Sequence, residues 1–368
     1  MKKQLTVALG LAVLATPAFA SKARLQALGE DVNGSFYVND NRNIFLNSAH
    51  VNNHKDLVTF EWGNTAAATD ATGTPRAEGG VFRAHNNMVW GLYLGSESNT
   101  SNGFRAASGV AELEENNIDL FVGGDAGVKW GANVTYSKSA DDEANADANQ
   151  SAIRTRFGVI AGDIEGWANI NVSNKAEGAN GNEFEGKLGY KVGAIYNMND
   201  YRIFADYQSF DGEAKPAAGG DFDLKSNQLQ VGAGRVSKLN DKASLFTRAQ
   251  VTMTKQDIEA GAAATDSKST SVPVVIGLEY DAASWLVLRS SVSQAIWGTQ
   301  EVNDNKSGLA ETTTVNAGAT LKFGELSVDG VIGNSAAGAG ATAADTSVGN
   351  GNLRTDNLMS RVSMTYRF

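Results

Sequence analysis

The sequence predicts an all-β chain closed into a transmembrane antiparallel barrel, and three observations predict it. First, the stretch from Leu358 to Phe368 alternates. Leu358, Val362, Met364, Tyr366 and Phe368 share one parity and Met359, Arg361, Ser363, Thr365 and Arg367 the other, so a strand here has one apolar and one wet face. Second, short turn-forming clusters alternate with long polar stretches along the chain, the asymmetry of a barrel with tight periplasmic turns and long external loops. Third, after Ala20 no run of about 18 apolar residues remains, so no helical span is available to cross a bilayer.

The amino terminus reads as an export signal. Lys2 and Lys3 precede an apolar run from Leu5 to Leu14, and Ala18 and Ala20 form the small-x-small pattern of a cleavage site, so residues 1–20 are expected to be removed after Ala20. The chain has no cysteine, which excludes a lipoprotein anchor, disulfides and thiolate metal sites. Removing Lys2 and Lys3 leaves 29 basic residues against 41 acidic ones, a mature charge of −12. That balance argues against a nucleic-acid partner, whose phosphates need a basic face. Forty glycines, four prolines and 20% charged residues suit many strands joined by polar loops. A secreted β-sandwich or β-solenoid shares part of this composition.

Tight connections are expected at His85-Asn86-Asn87, Gly124-Asp125-Ala126, Gly162-Asp163, Met198-Asn199-Asp200, Leu239-Asn240-Asp241, Asp281-Ala282-Ala283 and Gly324-Glu325. They separate sixteen predicted strands, at 56–63, 78–85, 88–95, 117–124, 127–138, 150–161, 164–174, 183–197, 200–210, 224–238, 242–256, 270–281, 284–297, 310–323, 326–335 and 355–368. An even count puts both termini in the periplasm. The strands at 56–63, 78–85 and 117–124 are short, so fourteen is the alternative count. In 127–138, Val128, Trp130, Ala132, Val134 and Tyr136 oppose Lys129, Asn133, Thr135 and Ser137. In 242–256, Leu245, Thr247, Ala249, Val251 and Met253 oppose Phe246, Arg248, Gln250, Thr252 and Thr254, and in 270–281 Val272, Val274, Ile276, Leu278 and Tyr280 share a face. Trp62, Phe184, Tyr196, Tyr201, Tyr207, Phe323, Tyr366 and Phe368 lie near strand ends on the apolar parity, where amphipathic rings meet headgroups. Residues 21–55 fit no wall strand: Ser21 to Gly29 is weakly helical and Phe36 to Leu46 is broken by Asn39-Asp40-Asn41. They form a periplasmic N-terminal segment that could line or partly plug the mouth of a barrel spanning 56–368.

The polar parity carries Arg83, Lys129, Arg154, Arg156, Lys187, Lys191, Arg202, Arg248, Arg289, Lys322, Arg361 and Arg367 against Glu61, Asp119, Glu165, Glu183, Glu185, Asp206, Glu279 and Asp329. So many ionised groups are prohibitive in a dry core, so this face is expected to be wet. Sixteen strands also enclose more space than their own side chains fill, which predicts an aqueous channel.

Signal, length, dyad strands, loop asymmetry and terminal Phe together resemble the general porins of Gram-negative outer membranes over residues 56–368. Phe36-Tyr37-Val38-Asn39-Asp40 with Asn43-Ile44-Phe45-Leu46-Asn47 resembles the N-terminal region of major outer-membrane proteins from Bdellovibrio-like bacteria. The resemblance implies passive diffusion of small hydrophilic solutes and ions, a homotrimer, outer-membrane location, contacts with lipid and lipopolysaccharide, and no cofactor. It also implies that Tyr366 and Phe368 form the signal read by the barrel-assembly machinery. In general porins the third external loop folds inward, its carboxylates opposing basic wall residues. The matching loop is 139–149, with Asp141, Asp142, Glu143 and Asp147 facing Arg154 and Arg156 on the next strand, although the Pro-Glu-Phe-Gly-Gly-type sequence is absent. The longer loop from Ser96 to Asn116, with Glu112, Glu114 and Glu115, competes for the role. Lys129 and Arg202 complete the pore-lining candidates. An acidic rim on either loop would concentrate cations.

Enzyme chemistry finds no support. His50 and His54 lie in the N-terminal segment and His85 in a tight turn, all expected to be exposed. There is no Gly-x-Ser-x-Gly, His-Glu-x-x-His or phosphate-cradling glycine loop. Two other functions compete with a porin. One is a FadL-like importer of hydrophobic compounds, suggested by the pre-barrel segment and by Asn47-Ser48-Ala49, which resembles that family's Asn-Pro-Ala without its Pro. The other is a structural or adhesive barrel with a closed lumen.

Overall fold

A computed structural model describes residues 21–368 apart from 65–75, 111, 115, 144–145, 179, 219, 261–262, 309–311 and 338–358. The expected signal at 1–20 therefore lies outside the described residues. Alternating residues joined by Asn/Gly/Asp turns pair with their chain neighbours, and the first and last strands meet to close one antiparallel sheet. Its wall has sixteen strands, as the dyad patterns predict. They are β1 (Leu57–Asn64), β2 (Arg76–His85), β3 (Met88–Leu94), β4 (Ile118–Asp125), β5 (Lys129–Glu143), β6 (Ala146–Ala161), β7 (Ile164–Glu177) and β8, whose halves Glu183–Gly186 and Gly189–Met198 both pair with β7. The second half holds β9 (Tyr201–Lys215), β10 (Phe222–Asn240), β11 (Ala243–Ala260), β12 (Ala263–Ala283), β13 (Leu286–Val302), β14 in halves Asn305–Gly308 and Thr312–Phe323, β15 (Leu326–Ala337) and β16 (Met359–Arg367). Closure runs from Leu57↔Arg367 to Asn64↔Ser360. Pro273, which cannot donate to the ladder, sits where the β12–β13 register slips.

The outward face is apolar. Phe60, Trp90, Leu120, Val134, Phe157, Val192, Ile276, Leu288 and Val292 all project from it exposed. Tyr196, Tyr201, Trp285, Phe323, Tyr366 and Phe368 ring the short-turn end, and Trp62 and Trp297 stand toward the long-loop end. An apolar belt between aromatic girdles on a closed barrel is the wall of an integral outer-membrane protein. At the seam, Phe368 N donates to the Asp56 carbonyl (3.1 Å), its ring stacks beside Tyr366 (6.4 Å, 20°), and the Arg83 guanidinium lies 5.0 Å above it.

Local register corrects five parity assignments. Arg83 points outward, because Phe82 faces the lumen opposite Leu57. Phe184 is buried in the lumen, while Glu183 and Glu185 face out, and Lys187 beside them is exposed and pairs with Asp223. The pairing sets the reason: Tyr190 opposes Ser209 but Gly186 opposes Gly212, so one extra residue at the break in β8 reverses every side chain above it. A register slip at Ile153/Arg154 against β7 does the same around Val172.

Candidate functional site: the occupied lumen

Two chain segments enter the barrel. Residues 21–55 fold inside it, most of them buried. Ser21 caps helix α1 (Lys22–Ala27), accepting from Arg24 N at 3.0 Å. Asp40 caps a 3₁₀ turn over Asn41–Phe45 and Asn47 caps a second over Ser48–Asn53. A capped helix and two capped turns, with Gly29 and Gly34 at positive φ between the helix and the first turn, satisfy the backbone of a segment with no regular periodicity.

The wall is shaped for this plug. Gly123, Gly131 and Gly158 stand side by side on β4, β5 and β6 and face inward. A β-carbon at Gly131 would overlap the Ser48 carbonyl, one at Gly158 the Asn47 Oδ1, and one at Gly123 the Val51 side chain. The 3₁₀ turn over Ser48–Asn53 therefore lies flush on a glycine floor. It is tied there by Asn52 Nδ2 donating to the Trp130 carbonyl (2.8 Å) and by Asn47 Nδ2 donating to the Val159 carbonyl (3.3 Å). Aromatic side chains on the lumen parity grip the rest. Phe36 stacks on Phe204 (4.3 Å, 12°), Phe45 meets Tyr93 and Phe121 edge-on, and Leu25, Leu28 and Tyr37 pack against Phe246. Burying these rings removes water from both surfaces, at roughly 25 cal/mol for each Å² of apolar area.

Charges are buried in pairs. Arg42 reaches Glu78 (3.6 Å), Glu61 (3.7 Å) and the Tyr93 hydroxyl (2.6 Å), Lys22 pairs with Glu78, and Glu30 with Arg248 (3.0 Å). His50 Nε2 lies 2.8 Å from Glu165 Oε2. His50 and His54 are thus buried, not exposed as expected, because the segment carrying them is inside the barrel.

The second intruder is the connection from β3 to β4, which carries helix α2 (Asn99–Ala107). Arg105 on α2 is fully buried and donates to Asn174 Oδ1 (3.0 and 2.6 Å), Gln150 Oε1 (3.0 Å) and the carbonyls of Glu112 (3.1 Å) and Lys175 (3.2 Å). Phe104 packs at a tilt against Phe210, 4.4 Å between centroids. The aqueous space expected from sixteen strands is accordingly shared with two folded segments.

The predicted pore residues separate into groups. Arg154 pairs with Glu114 of the inward loop (2.5 Å). Arg156 donates to Asp119 (3.0 Å) and Thr135 (2.8 Å), with its guanidinium 5.4 Å over the Phe45 ring of the plug. Lys129 donates to Asn53 (2.8 Å), and Arg202 lies 3.9 Å from Glu165. Glu112 meets the site through its carbonyl, and Glu115 lies outside the described residues. Asp141, Asp142, Glu143 and Asp147 do not form an inward loop: β5 and β6 run on as a ladder through Asp141↔Ala148, Asp142↔Asp147 and Glu143↔Ala146. The loop that turns inward is the second external one, because Arg105 and Phe104 give it buried partners.

Sequence reasoning missed the plug seat itself. Its signal is present in the wall: aromatics on the polar parity (Phe82, Phe121, Trp167, Phe204, Phe246) beside inward glycines in neighbouring strands.

Between plug, α2 and wall, two cavities adjoin. One of about 280 Å³ is lined by Asp31, Asn33 and Arg42 of the plug, Ser98 and Thr100 of the inward loop, and wall residues including Arg154, Arg156, Gln208, Gln228 and Gln230. The other, of about 360 Å³, lies beyond Thr100, Gln208 and Gln228, which line both, and reaches Gln256 and Asp257. Amides and hydroxyls dominate the shared wall: Gln230 donates to Gln228 (2.8 Å), Gln228 to Thr254 (3.3 Å) and Gln208 to Thr100 (3.1 Å).

No protein-family model matches the chain, and no curated protein does. The chain is similar in backbone to several solved structures. Outer-membrane-expressed OmpT of Vibrio cholerae is 11% identical, covers 85% of this chain and 97% of that one, and has a TM-score of 0.42. The CymD monoaromatic hydrocarbon channel is 11% identical over 96% and 98%, TM-score 0.42. The toluene transporter TbuX of Ralstonia pickettii is 15% identical over 95% and 98%, TM-score 0.38.

Proposed function

We propose that this protein is an outer-membrane channel through which small hydrophilic solutes and ions diffuse along the polar gap between an N-terminal plug, an inward loop and the β6–β11 wall. The observation that carries the reading is the pair of adjoining cavities that share the polar residues Thr100, Gln208 and Gln228. Solutes crossing such a gap exchange water for amide and hydroxyl partners at little cost, whereas the plug makes the passage narrower than an empty barrel of this width. Arg154, Arg156 and Glu114 set its charge on one side and neutral amides line the other. The polar face argues against an adhesive barrel with a dry lumen. A homotrimer, with outer-membrane lipid, lipopolysaccharide and the assembly machinery as its other partners, is the state the porin resemblance implies.

Liposome swelling tests the reading. Vesicles carrying folded protein should swell in glycerol and small sugars at rates falling steeply with solute size. Absence of swelling from folded protein would overturn it. An importer of hydrophobic compounds is the second reading, favoured by Phe104, Leu224 and Ile258 in the wall of the outer cavity. That reading predicts saturable binding of an aromatic hydrocarbon and no sugar flux.

A further inference from the structure

Ser21 is fully buried, yet it is the residue whose backbone nitrogen becomes the chain terminus if export processing cuts after Ala20. That nitrogen lies 3.3 Å from Asp40 Oδ2. Asp40 belongs to a closed ionic cluster: Arg24 pairs with Asp40 (3.2 Å) and Glu279 (3.1 Å), and Arg289 with Glu279 (2.5 Å) and Asp329 (3.2 Å). Two guanidiniums thus serve three carboxylates. All five groups are largely withdrawn from water, and Asp329, which interacts with Ser21 and Arg24, takes its close hydrogen bonds from Thr320 and Arg289 at Oδ1 alone. An uncompensated carboxylate in such a place is expensive. In the neighbouring cluster Lys22, Arg42 and Arg361 face Glu61 and Glu78, so its cations are directed to its own carboxylates.

We propose that this cluster is a binding site for the α-ammonium group of the mature chain, so that removal of residues 1–20 supplies the missing positive charge and completes the seating of the plug. The inference rests on the reading that cleavage follows Ala20, and not on the channel function. In the step, a signal peptidase hydrolyses the Ala20–Ser21 amide. Water's hydroxyl goes to the Ala20 carbonyl carbon, which leaves as a carboxylate, and the Ser21 nitrogen gains the proton and takes up another to become an ammonium. A free α-amine ionises near pH 7.7–8.0, and carboxylates on two sides favour its charged form. Before cleavage the same nitrogen is a neutral amide that donates one hydrogen bond and leaves the cluster one charge short. After it, the ammonium has three donors for Asp40 and Asp329, the Ser21 hydroxyl still caps α1, and Lys22 N still donates to Glu61 (2.8 Å). The plug is therefore anchored by its own terminus.

The test uses the protein extracted from outer membranes. Mass spectrometry of its first peptide should begin at Ser21; any other start overturns both the cleavage reading and the inference. Acylation by an amine-reactive ester at pH 8 should then modify the Ser21 amine at least tenfold more slowly in folded than in denatured protein, while Lys306, exposed on the rim, reacts at similar rates in both. Asp40→Asn should raise the folded rate and speed amide exchange across residues 22–30. Asp329→Asn, which leaves the Asp40 cap of the plug intact, provides the same readout if the first variant does not fold. Equal labelling of Ser21 in folded and denatured wild type, or protection unchanged in both variants, would overturn the proposal.

Discussion

Asn47 lies directly against Gly158, its Oδ1 filling the space that a β-carbon at position 158 would occupy. The contact joins residues more than a hundred positions apart and makes the plug's seat a property of the wall. Gly158→Val should therefore dislodge the 3₁₀ turn over Ser48–Asn53, at a cost of about 1–3 kcal/mol from overpacking. Its expected readouts are faster amide exchange in residues 46–54 and a larger single-channel conductance. Gly166→Ala, where a β-carbon meets nothing nearer than 3.7 Å, should leave both unchanged.

Charge placement at the inward loop can be separated from charge content. Replacing Arg154 and Arg156 with Glu should shift the reversal potential toward cations. The effect should shrink as the Debye length falls from about 10 Å at 0.1 M salt to about 3 Å at 1 M. Losing one partner of the Arg154–Glu114 pair costs about 3–5 kcal/mol, so the loop loosens as well. The swap of Arg154→Glu with Glu114→Arg restores attraction and should recover protease resistance of residues 95–117. A reversal potential that does not move in the double Glu variant would place the ion path away from β6.

Acid should loosen the plug. Burial, followed by charge interactions with the His50 and Arg367 side chains, lowers the His54 pKa from its ordinary value near 6.5 to about 3. Its neutral form is the one the fold accommodates, so its contribution is fully present above about pH 6.5 and is lost as pH falls from there through about 3. Asp40 acts oppositely: burial, partly offset by Arg24, raises its carboxyl from 3.8 to about 6, so its contribution is present below 3.8 and lost as pH rises through about 6. The His54 window is the wider. Amide exchange in residues 48–56, corrected for intrinsic rate, should accelerate between pH 7.5 and 5 in wild type and less so in His54→Gln. No acceleration would contradict a neutral buried His54.

Assembly should depend on the last residue. Phe368 closes the seam through Asp56, stacks on Tyr366 and lies under Arg83, so its deletion removes one backbone hydrogen bond and a girdle ring. The expected result is less heat-modifiable, folded protein in outer membranes. Equal yield would show that neither the seam nor targeting needs it.

The wall was legible because a strand with lipid on one side and water on the other must alternate, and all sixteen predicted strands overlap observed ones. Their outer ends were less so. β12 starts at Ala263 where alternation suggested 270, since strands standing clear of the membrane lose the apolar row. Parity failed at Phe184 and Glu185, because a single inserted residue at Lys187-Leu188 leaves no compositional mark. The contents of the lumen were hardest to read. Capped turns such as Asp40 over Asn41–Phe45 have no period, and their docking partners are glycines and aromatics distributed over distant strands. The inward loop is betrayed only by Arg105 and Phe104, whose partners Asn174 and Phe210 come much later in the chain. Arg154, chosen for facing an acidic loop, meets its carboxylate in Glu114 of the β3–β4 connection and not in its own hairpin.

The most direct measurement is planar-bilayer conductance of the folded protein beside a variant lacking residues 22–53. If the lumen is a narrow polar gap beside a seated plug, the native protein gives small discrete steps without added ligand and the truncated barrel gives steps several times larger. Equal conductance in the two would contradict a plug that occupies the channel.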